Sequence, residues 1–211
     1  MARGWFITFE GGEGTGKSTQ LDLLAHHLEE RGVETVRSRE PGGTALAEAV
    51  RSILLDPRQD PDGLSELLLL EAARHDHVER VVRPALQQGS VVLCDRFADS
   101  SVVYQGVARG VGETVVEELN RLATGGLEPD RTLVLDLDPA AALKRARTRN
   151  VDARLDESRL DNEPDAFHRR VRQGFLSLAQ RNPDRVRVVN AHGSAEEVHR
   201  RVLQQLPGGL K

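Results

Sequence analysis

Residues 11–18 have the sequence Gly-Gly-Glu-Gly-Thr-Gly-Lys-Ser, which matches the pattern G-x-x-x-x-G-K-[ST] at every fixed position. The apolar run Trp5-Phe6-Ile7-Thr8-Phe9 comes before it, and apolar residues at helical spacing follow it, at Leu21, Leu24, Ala25 and Leu28. Glycine tolerates backbone conformations that other residues avoid, so such a turn can direct its N–H groups at one anion. The stretch therefore predicts a phosphate-binding loop between a strand and a helix.

Two side chains of this loop have predicted chemical roles. The helix that starts near Lys17 presents unpaired N–H groups and a favourable dipole to a phosphate. Lys17 is expected to reach the β- and γ-phosphates of a nucleotide, and the Ser18 hydroxyl to bind Mg²⁺. Of the 29 basic residues only Lys17, Lys144 and Lys211 are lysines. Nearly all basic residues of this chain are arginines, so the lysine at position 17 is notable, and its compact ammonium group suits a phosphate.

Composition limits the possible functions. The 211 residues suit one domain, and a net charge of −4 argues against a broad nucleic-acid-binding surface. The single cysteine, Cys94, lies in an apolar run and is expected to be a core residue in a reducing compartment. No charged-then-apolar signal begins the chain, and no apolar run approaches 18 residues. We expect a cytoplasmic protein without membrane contact.

Strands and helices alternate along the sequence. This alternation predicts an α/β fold with a central parallel sheet of about five strands, helices on both faces, and ligands at the carboxyl ends of the strands. Residues 1–206 are expected to form one domain and residues 207–211 a flexible tail. The polar stretch around residues 149–161 lacks a clear period and is expected to be a short mobile lid. Strands are predicted near residues 5–9, 33–36, 91–94, 132–137 and 185–189.

An aspartate at a strand end is expected to hold Mg²⁺ or its water. Asp95 ends the run Val91-Val92-Leu93-Cys94, while Asp136 and Asp138 compete for the same role at the end of a later strand. Asp95 is favoured because Arg96 follows it directly. This pair would set a carboxylate for the metal beside a guanidinium for the transferring phosphate.

The acceptor of the phosphoryl group must be recognised by other parts of the chain. If the acceptor is itself a phosphate, two anions have to meet, and several fixed arginines are needed around them. An arginine that stabilises a phosphoryl transition state contributes about 10³–10⁵ in rate. The candidates are Arg39, Arg74, Arg96, Arg149, Arg154 and Arg159.

Several motifs occur in the order and at the spacing of one enzyme family, and over about residues 4–206 the sequence resembles thymidylate kinase. The resemblance implies a P-loop kinase fold, a homodimer, and transfer of the γ-phosphoryl of ATP to dTMP with Mg²⁺. The motifs are Phe9-Glu10-Gly11, Arg39-Glu40-Pro41-Gly42-Gly43-Thr44, Ala72-Ala73-Arg74, Asp95-Arg96-Phe97 with Ser100, Tyr104-Gln105-Gly106, and Phe167-His168-Arg169-Arg170-Val171.

The resemblance also implies site residues. Arg39 and Arg96 would bind the acceptor phosphate, Glu13 would lie near the deoxyribose 3′-hydroxyl, and Tyr104 would lie where a ribose 2′-hydroxyl would clash. Thymine would be addressed by Arg74, Ser100 and Gln105, and the dTMP site would also include Pro41 and Leu70. ATP would contact Gly11, Gly12, Glu13, Gly14, Thr15, Gly16, Lys17, Ser18, Thr19 and Arg149. The implied catalytic residues are Glu13, Lys17, Asp95, Arg96, Arg154 and Arg159, and the implied metal ligands are Ser18 and Asp95.

The sequence departs from the family pattern in two places. Leu70 stands where the family usually has an aromatic ring that stacks on thymine, so aromatic stacking is lost. Gly14 stands where some members have a basic residue in the phosphate loop, so the chain resembles the members whose basic residues lie in the lid. Arg159 aligns best with that lid residue, and Arg154 is the alternative.

Two other functions fit parts of the sequence. A P-loop kinase for another nucleoside monophosphate would share Lys17, Asp95 and Arg96 and would prefer an acceptor such as CMP or AMP. A non-catalytic nucleotide-binding switch would leave the acceptor-side motifs without a role, and the guanine-binding Asn-Lys-x-Asp run is absent from the sequence.

Overall fold

A parallel sheet forms the centre of the fold. The structure, a computed structural model, describes residues 3–153 and 159–210, apart from the side chains of residues 147 and 149–153. Within these residues the sheet has five strands in the order β2-β3-β1-β4-β5, and every neighbouring pair is parallel. The predicted α/β architecture is confirmed. The strands are β1 Phe6–Glu10, β2 Thr35–Arg39, β3 Val91–Asp95, β4 Arg131–Asp136 and β5 Val186–Asn190.

Helices connect the strands, and local capping residues explain several helix ends. The Thr44 side chain accepts a hydrogen bond from the Ala47 N–H, and Ser194 forms a capping box with Glu197. Gly89 ends a helix with a left-handed backbone. The helices are α1 Lys17–Glu29, α2 Ala45–Leu55, α3 Gly63–His77, α4 Arg83–Gln88, α5 Ala98–Ser101, α6 Glu113–Thr124, α7 Pro139–Ala153, α8 Asp165–Arg181 and α9 Ala195–Gln204.

The two faces of the sheet are both covered, because side chains alternate along each strand. Ile7 and Phe9 of β1 pack into one apolar cluster together with residues of α1 and α9. Phe6 of the same strand belongs to a second cluster, which also contains the buried Cys94. The central strand β1 is buried along its whole length. Its carboxyl end, where the phosphate loop begins, is therefore held rigidly.

Two π-helical segments interrupt the helices. The first, Val78–Val82, precedes Pro84, and the Arg83 N–H donates to the Val78 carbonyl five residues earlier. Proline has no N–H and crowds the carbonyl four residues before it, so a wider turn accommodates the ring. The second segment, Val102–Ala108, carries Tyr104 and Gln105. A bend at Pro84 is expected from sequence, but the second segment is not.

Some boundaries differ from the sequence predictions. Strand β2 begins two residues later than predicted and includes Arg39, which the sequence places in a loop. Helix α7 continues to Ala153, into the stretch predicted as a lid. Residues Gly208–Leu210 form a 3₁₀ turn, and Leu210 packs into the main apolar cluster where a flexible tail is expected. Among the described residues, no helix combines the length and apolar character needed to span a membrane.

Candidate active site

The phosphate loop lies between β1 and α1, as predicted. Gly11, Gly14 and Gly16 have positive φ angles of 134°, 69° and 95°, which explains why glycine is required there, whereas Gly12 has no such angle. A Cβ at Gly14 would also lie 1.9 Å from the Ala142 carbonyl oxygen. The basic side chain that some family members have at this position would therefore not fit without a shift of α7.

Lys17 is buried in this loop. Its Nζ donates to the carbonyl oxygens of Gly12 at 2.9 Å and Gly11 at 3.4 Å. Burial lowers the pKa of Lys17, and the nearby Arg96 lowers it further. Carbonyl oxygens are weak partners for a buried ammonium group, so a phosphate that entered the loop would be a better one.

The Ser18 hydroxyl donates to Asp95 Oδ2 over 2.6 Å, so the two predicted metal ligands lie together at the end of β3. The two competing aspartates have other partners. Asp136 accepts two hydrogen bonds from Arg172, at 2.7 and 3.0 Å, and Asp138 accepts from the first N–H groups of α7. Of the three candidates, the geometry favours Asp95.

Arg96 connects the loop to a second cavity. It has a positive φ of 69°, rare for arginine, and its guanidinium donates to the Gly11 carbonyl oxygen at 3.1 Å and to Ser100 Oγ at 3.2 Å. The same group forms an ion pair with Glu13 and donates to the Tyr104 hydroxyl at 3.1 Å. Burial raises the pKa of Tyr104, so this hydroxyl keeps its proton and donates to Glu13 at 3.1 Å.

The second cavity, called the acceptor cavity below after its predicted substrate, has a volume of about 130 Å³, and both Arg96 and Glu13 of the phosphate loop line it. Most residues of the predicted dTMP site line it, namely Glu13, Pro41, Leu70, Arg74, Arg96, Ser100, Tyr104 and Gln105. Leu70 is half-buried at its wall, as its position in the motif predicts. The lining combines apolar surface with fixed polar groups, as expected of a small-molecule site.

Arg74 is held by two acidic residues behind this cavity. Its Nε donates to Glu40 Oε2 at 2.8 Å, and its NH1 donates to Glu71 and, at 2.7 Å, to Asn120 Oδ1. Its NH2 donates to Ser101 Oγ at 3.0 Å. A guanidinium has five N–H groups, so one has no partner among the residues that the structure describes. This N–H is available to a ligand in the cavity.

A family model described as thymidylate kinase matches residues 9–202. The chain belongs to the thymidylate kinase family. The chain is 48% identical to the thymidylate kinase of Symbiobacterium thermophilum over 205 residues, which cover 95% of this chain and 93% of the relative. It is 52% identical to that of Gloeobacter violaceus over 191 residues, 90% of this chain and 89% of the relative.

The fold also matches a solved member of the thymidylate kinase family. The crystal structure of thymidylate kinase from Ehrlichia chaffeensis aligns with a TM-score of 0.76 and 37% identity. The alignment covers 96% of this chain and 98% of that chain. The relatives and this chain therefore share the whole domain, from the phosphate loop to the last helix.

A further cavity of about 320 Å³ is lined in part by the phosphate loop and the first turn of α1. Its wall includes Gly14, Thr15, Gly16 and the predicted Thr19, together with Gln20, Arg145 and the segment around Ser194. Motif reasoning missed Gln20, Arg145 and the 191–198 segment. Arg145 lies one helical turn before the predicted Arg149 and could have been found by that spacing. The side chain of Arg149 is outside the described part of the chain.

The predicted Arg39 lies outside the acceptor cavity. Arg39 does not line the acceptor cavity formed by the described residues; its NH2 donates to both carboxylate oxygens of Glu48, at 3.2 and 3.0 Å. Arg51 of α2 lines the cavity instead and donates to the Pro41 carbonyl oxygen at 3.3 Å. Nothing in the local sequence of α2 indicated Arg51, because only the packing of α2 against α3 turns it to this side.

The lid arginines are only partly described. Arg159 donates to the Leu54 carbonyl oxygen and to Glu66, so its described contacts are with α2 and α3 and not with the phosphate loop. Arg154 lies outside the described residues. Leu160 and Asp161, which follow Arg159, line the acceptor cavity, and neither was predicted.

Glu10 belongs to the motif Phe9-Glu10-Gly11, which by itself indicates no role for its side chain. It is fully buried at the end of β1 and accepts hydrogen bonds from the Phe97 N–H at 2.8 Å and the Ser100 hydroxyl at 2.6 Å. Burial raises the pKa of Glu10 from 4.5 to about 7. Through these hydrogen bonds Glu10 positions Ser100 and the turn that contains Arg96. This positioning role could have been predicted from the location of Glu10 between a buried strand and the phosphate loop.

Proposed function

We propose that this chain transfers the γ-phosphoryl group of ATP to the phosphate of dTMP, giving dTDP and ADP. Family membership supports this reaction. The single structural observation that carries the proposal is the position of Arg96, which contacts the Gly11 carbonyl of the phosphate loop and the Ser100 hydroxyl of the second cavity. An arginine between two phosphate sites can stabilise the charge that builds up between donor and acceptor.

Each side of the site has a separate task. Lys17 and the loop N–H groups hold the donor phosphates, while the acceptor cavity orients the monophosphate for in-line attack. Tyr104 and Glu13 are fixed by Arg96, so the wall beside the deoxyribose is rigid. No covalent intermediate is required, because positioning and charge stabilisation account for this type of catalysis. The roles of Arg39, Arg149, Arg154 and Arg159, and the lid over residues 149–161, stay predictions.

Mg²⁺ fits the residues at the end of β3. Ser18 and Asp95 supply oxygen ligands, which Mg²⁺ prefers, and it usually takes its other ligands from water and nucleotide phosphates. Among the described residues, no cluster of three or more His, Cys, Asp or Glu side chains forms a complete metal cage. When bound, the ion would neutralise charge on the transferring phosphoryl group.

A monophosphate panel tests the proposal. With ATP and Mg²⁺, ADP release should be fastest with dTMP, slower with dUMP, and slow with CMP or AMP. Lys17→Ala should reduce kcat by at least about 100-fold because a phosphate-stabilising donor is lost. Lys144→Ala, a change of the same kind at an exposed position on α7, should have wild-type activity. A preference for CMP or AMP, or ADP release that no monophosphate stimulates, would contradict the proposal.

We also propose that the chain works as a homodimer in the cytoplasm. The support is apolar surface on two adjoining helices: Leu64 and Leu68 of α3 are 47% and 52% exposed, and Val115 and Leu122 of α6 are 43% and 76% exposed. Each pair has a spacing that puts both side chains on one face of its helix. Sedimentation equilibrium should give twice the chain mass, and Leu122→Glu should give the mass of one chain.

A further inference from the structure

A buried carboxylate outside the acceptor cavity contacts one of the residues that line it. Glu66 of α3 is 2% exposed, and one of its oxygens accepts a hydrogen bond from Nε2 of Gln105. Its other oxygen accepts from NH2 of Arg159 and lies 3.7 Å from NH2 of Arg109. The two guanidinium groups provide the positive charge that a buried carboxylate requires.

This contact determines how the amide of Gln105 is oriented. A carboxylate only accepts hydrogen bonds, so the NH₂ end of the amide must lie against Glu66 and the Oε1 end must lie away from it. Oε1 is buried and has no hydrogen-bond partner among the described residues, although Gln105 lines the acceptor cavity. A buried, unpaired carbonyl oxygen is costly, and an N–H group of a ligand would satisfy it.

We infer that Glu66 is a positioning residue that sets the base specificity of the acceptor site through Gln105. The inference depends on the proposed function, in which dTMP occupies this cavity. Thymine has an N–H at N3 beside a carbonyl at C4. The N3–H donates to Oε1 of Gln105, and the C4 carbonyl accepts the remaining N–H of Arg74.

Cytosine has the opposite pattern at the same two positions. Its N3 is an acceptor and its C4 substituent is an amino donor. In cytosine the acceptor N3 would therefore face the acceptor Gln105 Oε1, and the amino donor would face an N–H donor of Arg74. Glu66 excludes the rotated amide that could accommodate cytosine, because that rotation would bring Oε1 against its carboxylate. Through Gln105, the side chain of Glu66 thus favours thymine and uracil over cytosine without touching the base.

The test is Glu66→Gln. Arg159 and Arg109 hold the oxygen of the introduced amide, so its NH₂ group faces Gln105 and favours the rotated orientation. The ratio of kcat/KM for dTMP to kcat/KM for dCMP should fall by about 10- to 100-fold, mainly through a higher KM for dTMP. In a Gln105→Ala background the same substitution should leave the ratio unchanged.

Glu163→Gln is the matched control. Glu163 lies 2.6 Å from NH2 of Arg109, so the substitution removes the same charge from the same network without contact to Gln105. Its dTMP-to-dCMP ratio should equal that of the wild type. Equal ratios for all three proteins, or equal losses in the two variants, would overturn the inference.

A measurement on the wild-type protein avoids dependence on variant folding. N3-methyl-dTMP keeps both carbonyl groups, has N–CH₃ in place of N–H at position 3, and should show a KM at least about tenfold higher than that of dTMP. Equal KM values would overturn the inference even though dTMP is a substrate. If the wild type does not phosphorylate dTMP at all, the proposed function itself fails.

Discussion

Replacing Arg74 with methionine should separate the structural role of this residue from its role in binding. Arg74 is buried, with 2% of its side chain exposed, between Glu40 at 4% and Glu71 at 7%. Burial acts to raise the pKa of Glu40, but Arg74 and His77 outweigh it and the net pKa is below the ordinary value. Glu40 is therefore a charged group in the interior, and Arg74 is the guanidinium that pairs with it.

The expected loss of stability follows from this arrangement. Removing one partner of a buried ion pair costs about 3–5 kcal/mol, because the other charge is left without compensation. Methionine has a similar length and no polar group, so the apolar packing is largely kept. Domains of this kind have unfolding free energies of about 5–15 kcal/mol. Arg74→Met should therefore fold but unfold at a clearly lower urea concentration.

A second substitution isolates the electrostatic part of this loss. Burial raises the pKa of Glu71, and Arg74 is its described hydrogen-bond partner. Adding Glu71→Gln to Arg74→Met should restore part of the lost stability, because it neutralises the carboxylate that has lost its described hydrogen-bond partner, whereas Glu40 keeps its contact with His77. Glu71→Gln alone is the control. Both proteins that carry Arg74→Met should have a higher KM for dTMP than the wild type, because they lack the N–H that Arg74 offers to the base.

Urea unfolding followed by circular dichroism gives the stabilities, and the ADP-release assay gives the KM values. An Arg74→Met protein within about 0.5 kcal/mol of the wild type would show that Glu40 and Glu71 do not depend on the guanidinium. Further destabilisation by Glu71→Gln in the Arg74→Met background would also refute the reasoning. A wild-type KM for dTMP in Arg74→Met would remove Arg74 from the acceptor site.

Two other predictions concern Glu10 and the choice between Arg39 and Arg51. Burial raises the pKa of Glu10 from 4.5 to about 7, so between these pH values the folded protein holds a proton that the unfolded chain has lost. The contribution of Glu10 to the unfolding free energy should therefore fall by about 3 kcal/mol as the pH rises from 4.5 to 7. Glu10→Gln should remove this slope in urea titrations at pH 5 and 8, and an unchanged slope would contradict the assignment. Arg51→Ala should raise the KM for dTMP by about tenfold, and Arg39→Ala should raise it less, because Arg51 lines the cavity and Arg39 pairs with Glu48. A larger effect of Arg39→Ala would instead support the role at the acceptor phosphate that the family resemblance implies for Arg39.

Local sequence predicted the parts of the fold that depend on neighbouring residues. The phosphate loop requires glycines and a lysine at fixed spacing, and these were recognisable without any tertiary information. The Thr44 cap and the Gly89 stop are also local, because each acts through backbone groups within four residues. The start of β2 was less well predicted, since this edge strand is only partly buried and has a weak apolar pattern.

The family resemblance predicted most of the acceptor cavity but not its supporting residues. Glu66 and Asn120 hold Gln105 and Arg74 from elements 39 and 46 residues away in the chain. A buried glutamate on α3 resembles any polar residue of an amphipathic helix until its partners are known. The contacts of Arg51 and Arg159 are equally hard to predict from sequence, because the partner of an arginine depends on which elements pack beside it.

The sequence by itself determined the phosphate loop, the alternation of strands and helices, and the identity of the groups that meet at the strand ends. Short-range sterics and hydrogen-bonding patterns are sufficient for those features. The sequence favoured Asp95 over Asp136 through the adjacent Arg96, but only the tertiary structure decided that Asp95 faces Ser18 while Asp136 pairs with Arg172, and that Arg96 joins the loop to the acceptor cavity. These outcomes depend on strand order and on competition between ion-pair partners, which long-range packing settles.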